Sequence, residues 1–329
     1  MSSEKPYCEA QQIYSKQVYV DKTLIECHRL EEKVKVKNGT KKIASTALSS
    51  SKVNEVTLPD SVEEIEPHAF FNCQDLHRIT FGKNIKTIER DSFINCPNIH
   101  EIVFPENADM IHEISRPYIC QYNQKQYDSM KYSFMSLIKS AIKSEIKFVD
   151  IAEKEMLKEL DDFLDSRTPK LTVKLTCGTK SIWLPKYIAA SDETLIENTI
   201  ISWITLGYDN ETAFDIANNA AVLIGMAVEV YVLAGNMRAE MYLKNYITDI
   251  VDYLLQMGDD KALIGIINLG LIGDDKLNSM LKILINAGNA TVAAYVLMQM
   301  KDKKVPIEQN LMLSDSPRLK AGACFDERK

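Results

Sequence analysis

Apolar residues in the first third of the chain recur at a fixed spacing. Residues 65–81 are matched by residues 88–104, twenty-three positions later, with Ile, Phe, Cys, Ile and Phe at equivalent places in both copies. Residues 43–59 form a weaker third copy with smaller apolar residues. A fixed period of this size is typical of solenoids, whose repeats stack on one another. Each copy predicts a short turn or helix followed by a brief strand.

The repeat also predicts which side chains fill the core. Equivalent apolar residues of successive coils are expected to lie directly over one another. The expected stacked pairs are Phe70 over Phe93, Cys73 over Cys96, Leu76 over Ile99, Ile79 over Ile102 and Phe81 over Phe104. Such a stack forms a regular scaffold with no built-in pocket, which favours binding over catalysis.

Both ends of the repeat region show a change of pattern. Upstream, residues 18–27 and 34–40 alternate like two strands joined by a charged turn, which predicts an N-terminal hairpin cap. Downstream, Arg116 and Pro117 stand where the next copy would need Phe. The solenoid is therefore expected to end near that point.

The remaining two thirds of the chain has mainly helical periodicity. Two amphipathic helices are predicted around residues 130–141 and 156–164, then a hairpin from residues 171–175 and 182–185. A helix follows, beginning at Ser191 or Asp192 and ending at Gly207. Short Gly and Asp joints then separate five more helical stretches. These stretches are residues 211–235, 237–257, 261–271, 276–287 and 291–300.

Two short motifs point to a known repeat family. Residues 69–73 (Ala-Phe-Phe-Asn-Cys) and 56–59 (Val-Thr-Leu-Pro) resemble the BspA-type leucine-rich repeat, also called the Treponema pallidum type. That pattern joins an Ala-Phe-x-x-Cys turn to a Leu-x-x-Ile-x-Leu-Pro strand. Ser92 and the pair Phe81-Gly82 depart from it without removing a core position. The resemblance covers roughly residues 19–114, and it implies a repeat fold with a role in adhesion or other protein contacts.

The expected fold class is therefore α+β. A short leucine-rich-repeat solenoid with an N-terminal hairpin cap precedes an all-helical bundle or short helical-repeat domain. The predicted divisions are an N-terminal tail at 1–16, the repeat domain at 17–115, a helical and hairpin connection at 116–190, a helical domain at 191–303 and a C-terminal tail at 304–329.

Composition narrows the classes of function. The 329 residues carry a net charge of -7, which disfavours a general nucleic-acid binder because such proteins need surplus Lys and Arg. The longest apolar stretch, residues 220–234, is shorter than a membrane span and contains Glu229, so it predicts a buried helix. Seven cysteines lie far apart without a CxxC pair, and no secretory signal is evident. We expect a cytoplasmic protein with reduced thiols and no membrane contact.

Outward positions of the predicted strands form three columns across the sheet, and these are the candidate partner-binding residues. The columns are Glu55, Arg78 and Glu101; Asn54, His77 and His100; and Thr57, Thr80 and Val103. Strands about 4.8 Å apart would let Arg78 meet both carboxylates of its column. This column is either a structural charge ladder or part of a binding face, and the sequence leaves both open.

The sequence carries no recognisable catalytic or metal-binding motif. His77 and His100 could face each other on adjacent coils, but a third metal ligand is not evident, so we expect no metal and no cofactor. The many carboxylates of residues 153–165 alternate with apolar residues, as on the wet side of an amphipathic helix. All five histidines lie within residues 28–112, which leaves the predicted helical domain without the commonest catalytic base.

These observations favour a non-catalytic protein-interaction module, acting as an adaptor or as an inhibitor of a partner protein. Two alternatives stay open. The first is a mobile-element inhibitor of a nucleic-acid-binding host defence complex, similar to an anti-CRISPR protein, in which acidic patches compete with nucleic acid. The second is an enzyme with a site where the repeats join the helices. The partner's identity and the oligomeric state are not evident from the sequence.

Overall fold

The computed structural model describes residues 16–28, 32–116, 124–143, 150–206, 212–217 and 219–302. The chain divides into two compact units. The repeat unit comprises residues 1–143, 173–182 and 194–211, and the helical unit comprises residues 144–172, 183–193 and 212–329.

Two sheets contain the strands of the described residues. The strands are β1 Lys16–Val20, β2 Thr23–His28, β3 Lys33–Lys35, β4 Lys42–Ile43, β5 Glu55–Thr57, β6 Glu64–Ile65, β7 Arg78–Thr80, β8 Thr87–Ile88, β9 Glu101–Phe104, β10 Thr172–Cys177 and β11 Lys180–Pro185. The small sheet has the order β1-β2-β4-β6-β8, and the large sheet has the order β11-β10-β9-β7-β5-β3. Each coil of the solenoid contributes one strand to each sheet.

The predicted core stack is confirmed. The rings of Phe70 and Phe93 stack with centroids 4.6 Å apart, and those of Phe81 and Phe104 stack at 4.5 Å. Ile79 and Ile102 are paired in register on β7 and β9. All these side chains are buried, because every coil directs the same apolar positions inward.

The backbone conformation of the turns is also the same from one coil to the next. Each coil turns at two residues with left-handed φ, which are Thr46 and Ser50, His68 and Asn72, and Asp91 and Asn95. Non-glycine residues adopt this conformation at a cost, and Asn and Asp tolerate it best. Side-chain bonds help to hold these turns, for the Asn95 amide donates to the Asn72 side-chain oxygen at 2.5 Å.

The N-terminal cap is present, although its strands differ from those predicted. The hairpin consists of β1 and β2 within residues 16–28, whereas β3, predicted as part of the cap, pairs in parallel with β5 in the large sheet. Side chains of β1 cover the edge beside β3: the Gln17 amide donates to the Lys35 carbonyl, and the Lys37 N–H donates to the Tyr19 hydroxyl, both at 3.0 Å. This arrangement protects an edge strand from pairing with other chains.

The large sheet continues beyond the last recognisable repeat. The sequence predicts that the solenoid ends near residue 116. The repeat motif does end there, but the sheet does not. β10 pairs in parallel with β9, with Lys174 beside Glu101 and Leu175 beside Ile102. β11 follows after a two-residue turn at Gly178, as the predicted hairpin requires.

The described residues contain ten α-helices, in agreement with a predominantly helical second part. They are α1 Asp109–Ser115, α2 Gln124–Ala141, α3 Asp150–Ser166, α4 Glu193–Leu206, α5 Ala220–Ala234, α6 Met237–Asn245, α7 Ile247–Met257, α8 Asp260–Asn268, α9 Asp274–Asn286 and α10 Ala290–Asp302. The stretch predicted as one helix at 237–257 is two helices, α6 and α7, which meet at Tyr246. Residues 212–217 lie outside α5, and Asn219 caps that helix by accepting from the Val222 N–H. The predicted helix end at Gly207 lies outside the described residues.

α5 is a buried helix, as its apolar sequence predicts, and it carries one buried carboxylate. Glu229 accepts hydrogen bonds from the N–H groups of Lys170 and Leu171 at 2.7 and 2.9 Å and from the Thr172 hydroxyl at 2.6 Å. Burial raises the pKa of this carboxyl to about 7. Glu229 thus fastens the start of β10 to α5. No helix in the described part of the chain is long and apolar enough to cross a membrane.

Candidate interaction surface

Five parallel strands of the large sheet align the charged column predicted from the sequence. Glu55, Arg78 and Glu101 are register partners, and the structure extends their row by one residue at each end. Lys33 on β3 pairs with Glu55, and Lys174 on β10 pairs with Glu101. The row therefore alternates in charge across the whole set of five strands.

The ion pairs within this row differ from the predicted arrangement. Arg78 contacts Glu101, with Nη1 and Oε2 3.4 Å apart, whereas the carboxylate of Glu55 contacts the Lys33 ammonium at 2.8 Å. The prediction that Arg78 bridges two carboxylates is therefore wrong, because β3 supplies a competing cation that the sequence pattern had assigned to the cap. The side chain of Arg78 is 44% exposed, so this row is reachable from solvent.

The second column lies at the start of the same strands. Asn54, His77 and His100 are half-buried, and the two imidazoles stack with centroids 5.2 Å apart. The Asn54 carbonyl accepts the N–H groups of His77 and Arg78, at 2.8 and 3.1 Å. Among the described residues, no group of three His, Cys, Asp or Glu side chains is placed to hold a metal ion.

The third column is small and less polar. Thr57, Thr80 and Val103 are register partners, with Thr57 exposed and the other two half-buried. Lys35 and Thr176 continue this column on β3 and β10. We call the three columns together the strand face. The structure brings all nine predicted residues onto adjoining positions of one sheet.

The small sheet carries a charge row of its own. Glu63 lies between Lys41 and Lys86 and forms ion pairs with both, and these lysines lower the pKa of its carboxyl to about 2. Lys42 pairs likewise with Glu64 and Glu66. Alternating charge is thus a general feature of these stacked coils, so ion pairing alone does not mark a binding site.

A groove of about 810 Å³ opens on the turn side of the repeat unit, and sequence reasoning missed it. One wall is the coil turn at residues 90–95, and the other is α2 from Asp128 to Ser140, with Glu197 of α4 also contributing. We call it the turn-side groove. The sequence signal that could have indicated this groove was the pair Phe71 and Ile94, large apolar residues at an outward repeat position.

A smaller cavity of about 200 Å³ is lined in part by Cys177. Burial raises the pKa of the Cys177 thiol to about 12, so this thiol is a poor nucleophile.

The comparisons with known proteins identify the repeats. Residues 21–118 match the family model described as BspA type leucine rich repeat region, with six copies. A leucine rich cell surface protein from Faecalibacterium prausnitzii A2-165 is 25% identical over a match that covers 26% of this chain and 30% of that chain, with a TM-score of 0.21. None of the curated proteins matches the chain. Residues 21–118 are therefore a leucine-rich-repeat region of the BspA type.

Proposed function

We propose that this chain is a non-catalytic protein-interaction module whose strand face binds a partner protein. The observation that carries the proposal is the register of five parallel strands, which aligns charged residues from successive coils, three of them predicted, into one solvent-accessible row. Leucine-rich repeats of this kind commonly mediate protein contacts, and repeat proteins use the regular surfaces of their stacked units for that purpose.

The size of the strand face indicates the strength of binding. Five strands span about 19 Å across the sheet, and three residues of each strand span about 10 Å along it. A stable complex buries roughly 800 Å² on each partner, several times the area of this face. The strand face alone therefore supports a weak contact, or one part of a larger interface.

The alternating charges suit selection of one partner over others. Lys33, Glu55, Arg78, Glu101 and Lys174 present the signs plus, minus, plus, minus and plus in order. A partner with the complementary order gains from each contact, while a partner shifted by one strand meets like charges. The expected partner is thus a protein surface with its own charge row, and we propose that the complex forms in the cytoplasm.

Within this proposal, the chain acts as an adaptor or as an inhibitor that covers its partner's working surface. Inhibition of a nucleic-acid-binding complex is the more specific form, and the net charge of -7 supports it modestly. That form requires binding that weakens steeply as salt rises, because it depends on exposed charges. Binding that is insensitive to salt favours an adaptor.

An affinity capture from cells that naturally produce the protein tests the proposal. The tagged chain is compared with Arg78→Glu and with His77→Ala/His100→Ala, and recovered proteins are quantified by mass spectrometry. We expect a partner that both variants lose and that Arg238→Glu, a change at an exposed residue of α6, retains. A partner recovered equally by all variants would place the interface away from the strand face.

A further inference from the structure

We propose that the turn-side groove binds a short extended peptide of a partner protein. The peptide inserts an apolar side chain beside Tyr132 and sets a carboxylate against Arg90. This site is separate from the strand face, and it goes beyond the interaction proposed there.

The length of the groove matches a peptide. Its α2 wall runs from Asp128 to Ser140, and a helix rises 1.5 Å per residue, so this wall is about 18 Å long. An extended chain advances about 3.3 Å per residue, so five or six residues cover that length. The volume of about 810 Å³ also falls within the range of ligand sites in proteins.

Large apolar side chains lead into the groove. Tyr132 is 58% exposed and Ile94 is 42% exposed, and both line it. Phe71, 39% exposed, occupies the position of Ile94 in the preceding coil, so the apolar row continues along the ridge of the turns. Exposed aromatic residues beside other apolar groups are typical of protein-binding surfaces, where a tyrosine offers apolar area and a polar end.

Charges around the groove favour a peptide over a nucleic acid. The lining of the groove contains as many basic as acidic side chains. The basic ones are Arg90, Lys131 and Lys139, and the acidic ones are Asp91, Asp128 and Glu197. Lys131 and Glu197 form an ion pair at 2.7 Å. Arg90 forms a loose ion pair with Asp91, whose Oδ2 lies 3.7 Å from the Arg90 Nε, beyond hydrogen-bond distance. The Arg90 side chain is 77% exposed, so the other N–H groups of its guanidinium are accessible to a peptide carboxylate, which an arginine can hold by two parallel hydrogen bonds.

The coil wall of the groove is held in place before any ligand arrives. Asp91 and Asn95 both have left-handed backbones on either side of Ile94. Asn95 is bonded to the preceding coil through its side chain to Asn72, and its carbonyl accepts from the Gln74 amide at 3.0 Å. A wall fixed in this way loses little conformational freedom on binding, which favours affinity for a small ligand.

A display library of random seven-residue peptides, selected on the full chain, tests the proposal. We expect selected peptides to carry an aromatic or branched apolar residue within two positions of Asp or Glu. The best peptide is then labelled, and its affinity is measured by fluorescence polarisation. Tyr132→Ala and Arg90→Glu should each weaken binding about tenfold or more, as the loss of an anchor residue does.

Matched controls separate this site from the strand face. Tyr132→Phe should keep most of the affinity, and Tyr246→Ala, which removes a 41% exposed tyrosine from the helical unit, should leave it unchanged. Arg78→Glu should also leave peptide binding unchanged, so the two proposals can fail independently. A library without any selected peptide, or peptides that bind Tyr132→Ala as tightly as the natural chain, would overturn the assignment. Competition by a random oligonucleotide would overturn it as well.

Discussion

Replacing Glu229 by Gln should remove a pH dependence of the helical unit. Burial raises the pKa of the Glu229 carboxyl from 4.5 to about 7 in the folded chain, because the charged form is poorly solvated in the buried surroundings of α5. The folded state therefore holds this proton more tightly than the unfolded state does. The resulting stability is fully present below the unfolded pKa, and it is lost as the pH rises through 7.

The expected loss follows from the size of the shift. A rise from 4.5 to about 7 corresponds to about 3 kcal/mol, lost mainly between pH 4.5 and 7.5. Gln fits the same place, since its amide oxygen can accept from the N–H groups of Lys170 and Leu171, and its amide nitrogen can donate to the Thr172 hydroxyl. Glu229→Gln should thus match the natural chain at low pH and exceed its stability at pH 8.

The assay needs a signal from the helical unit alone. Trp203→Phe leaves Trp183 as the single tryptophan, and Trp183 packs against Met226 and Val230 on α5. Urea unfolding followed by its fluorescence from pH 4.5 to 8.5 gives the difference between the variants at each pH. Glu155→Gln, on the exposed side of α3, should keep the slope of the natural chain. A difference that stays constant with pH, or that grows toward acid, would refute the reasoning.

Three further substitutions probe the solenoid, each measured by thermal and denaturant unfolding. Phe93→Ala empties the middle of the ring stack and should cost about 3 to 5 kcal/mol, whereas a loss below 1 kcal/mol would mean that the rings are not stacked. Gly82→Ala would bring a Cβ within 2.2 Å of the Pro59 carbonyl oxygen, so a loss above about 2 kcal/mol is expected, and a neutral result would contradict this close approach. Thr46 has a left-handed backbone, which is unfavourable for a β-branched residue and better tolerated by Asn. Thr46→Asn should therefore raise the free energy of unfolding by about 0.5 to 1 kcal/mol, while destabilisation would count against that conformation.

The sequence predicts the solenoid core well because the same apolar residues recur at the same positions of successive coils. Phe70 and Phe93 occupy the same place in copies of nearly equal length, so the stacking of one coil on the next determines their contact. The departure Phe81-Gly82 from the family pattern is explained by the structure, since the Pro59 carbonyl oxygen occupies the space that a side chain would need.

Long-range pairings could not be predicted in the same way. β3 has three residues and one buried side chain, Val34, so its pattern does not distinguish a cap strand from a first repeat. The parallel pairing of β10 with β9 joins segments between which α1, α2 and α3 lie, and no local signal specifies such a partner. One wall of the turn-side groove is the outer side of α2. The apolar periodicity of that helix indicates only which side is buried, so it could not predict the groove.

The most direct test of the strand face exchanges the charges of its central ion pair. Arg78→Glu/Glu101→Arg keeps an opposite-charge pair at the two central positions while it inverts the charges that a partner meets. The exchange also sets like charges beside Glu55 and Lys174, each at a cost of about 0.2–1 kcal/mol. If the face binds a partner through its charge row, the double variant should stay folded, with an unfolding temperature only about a few degrees lower, yet lose the captured partner. A double variant that keeps the partner at full affinity would show that the row only holds the strands together.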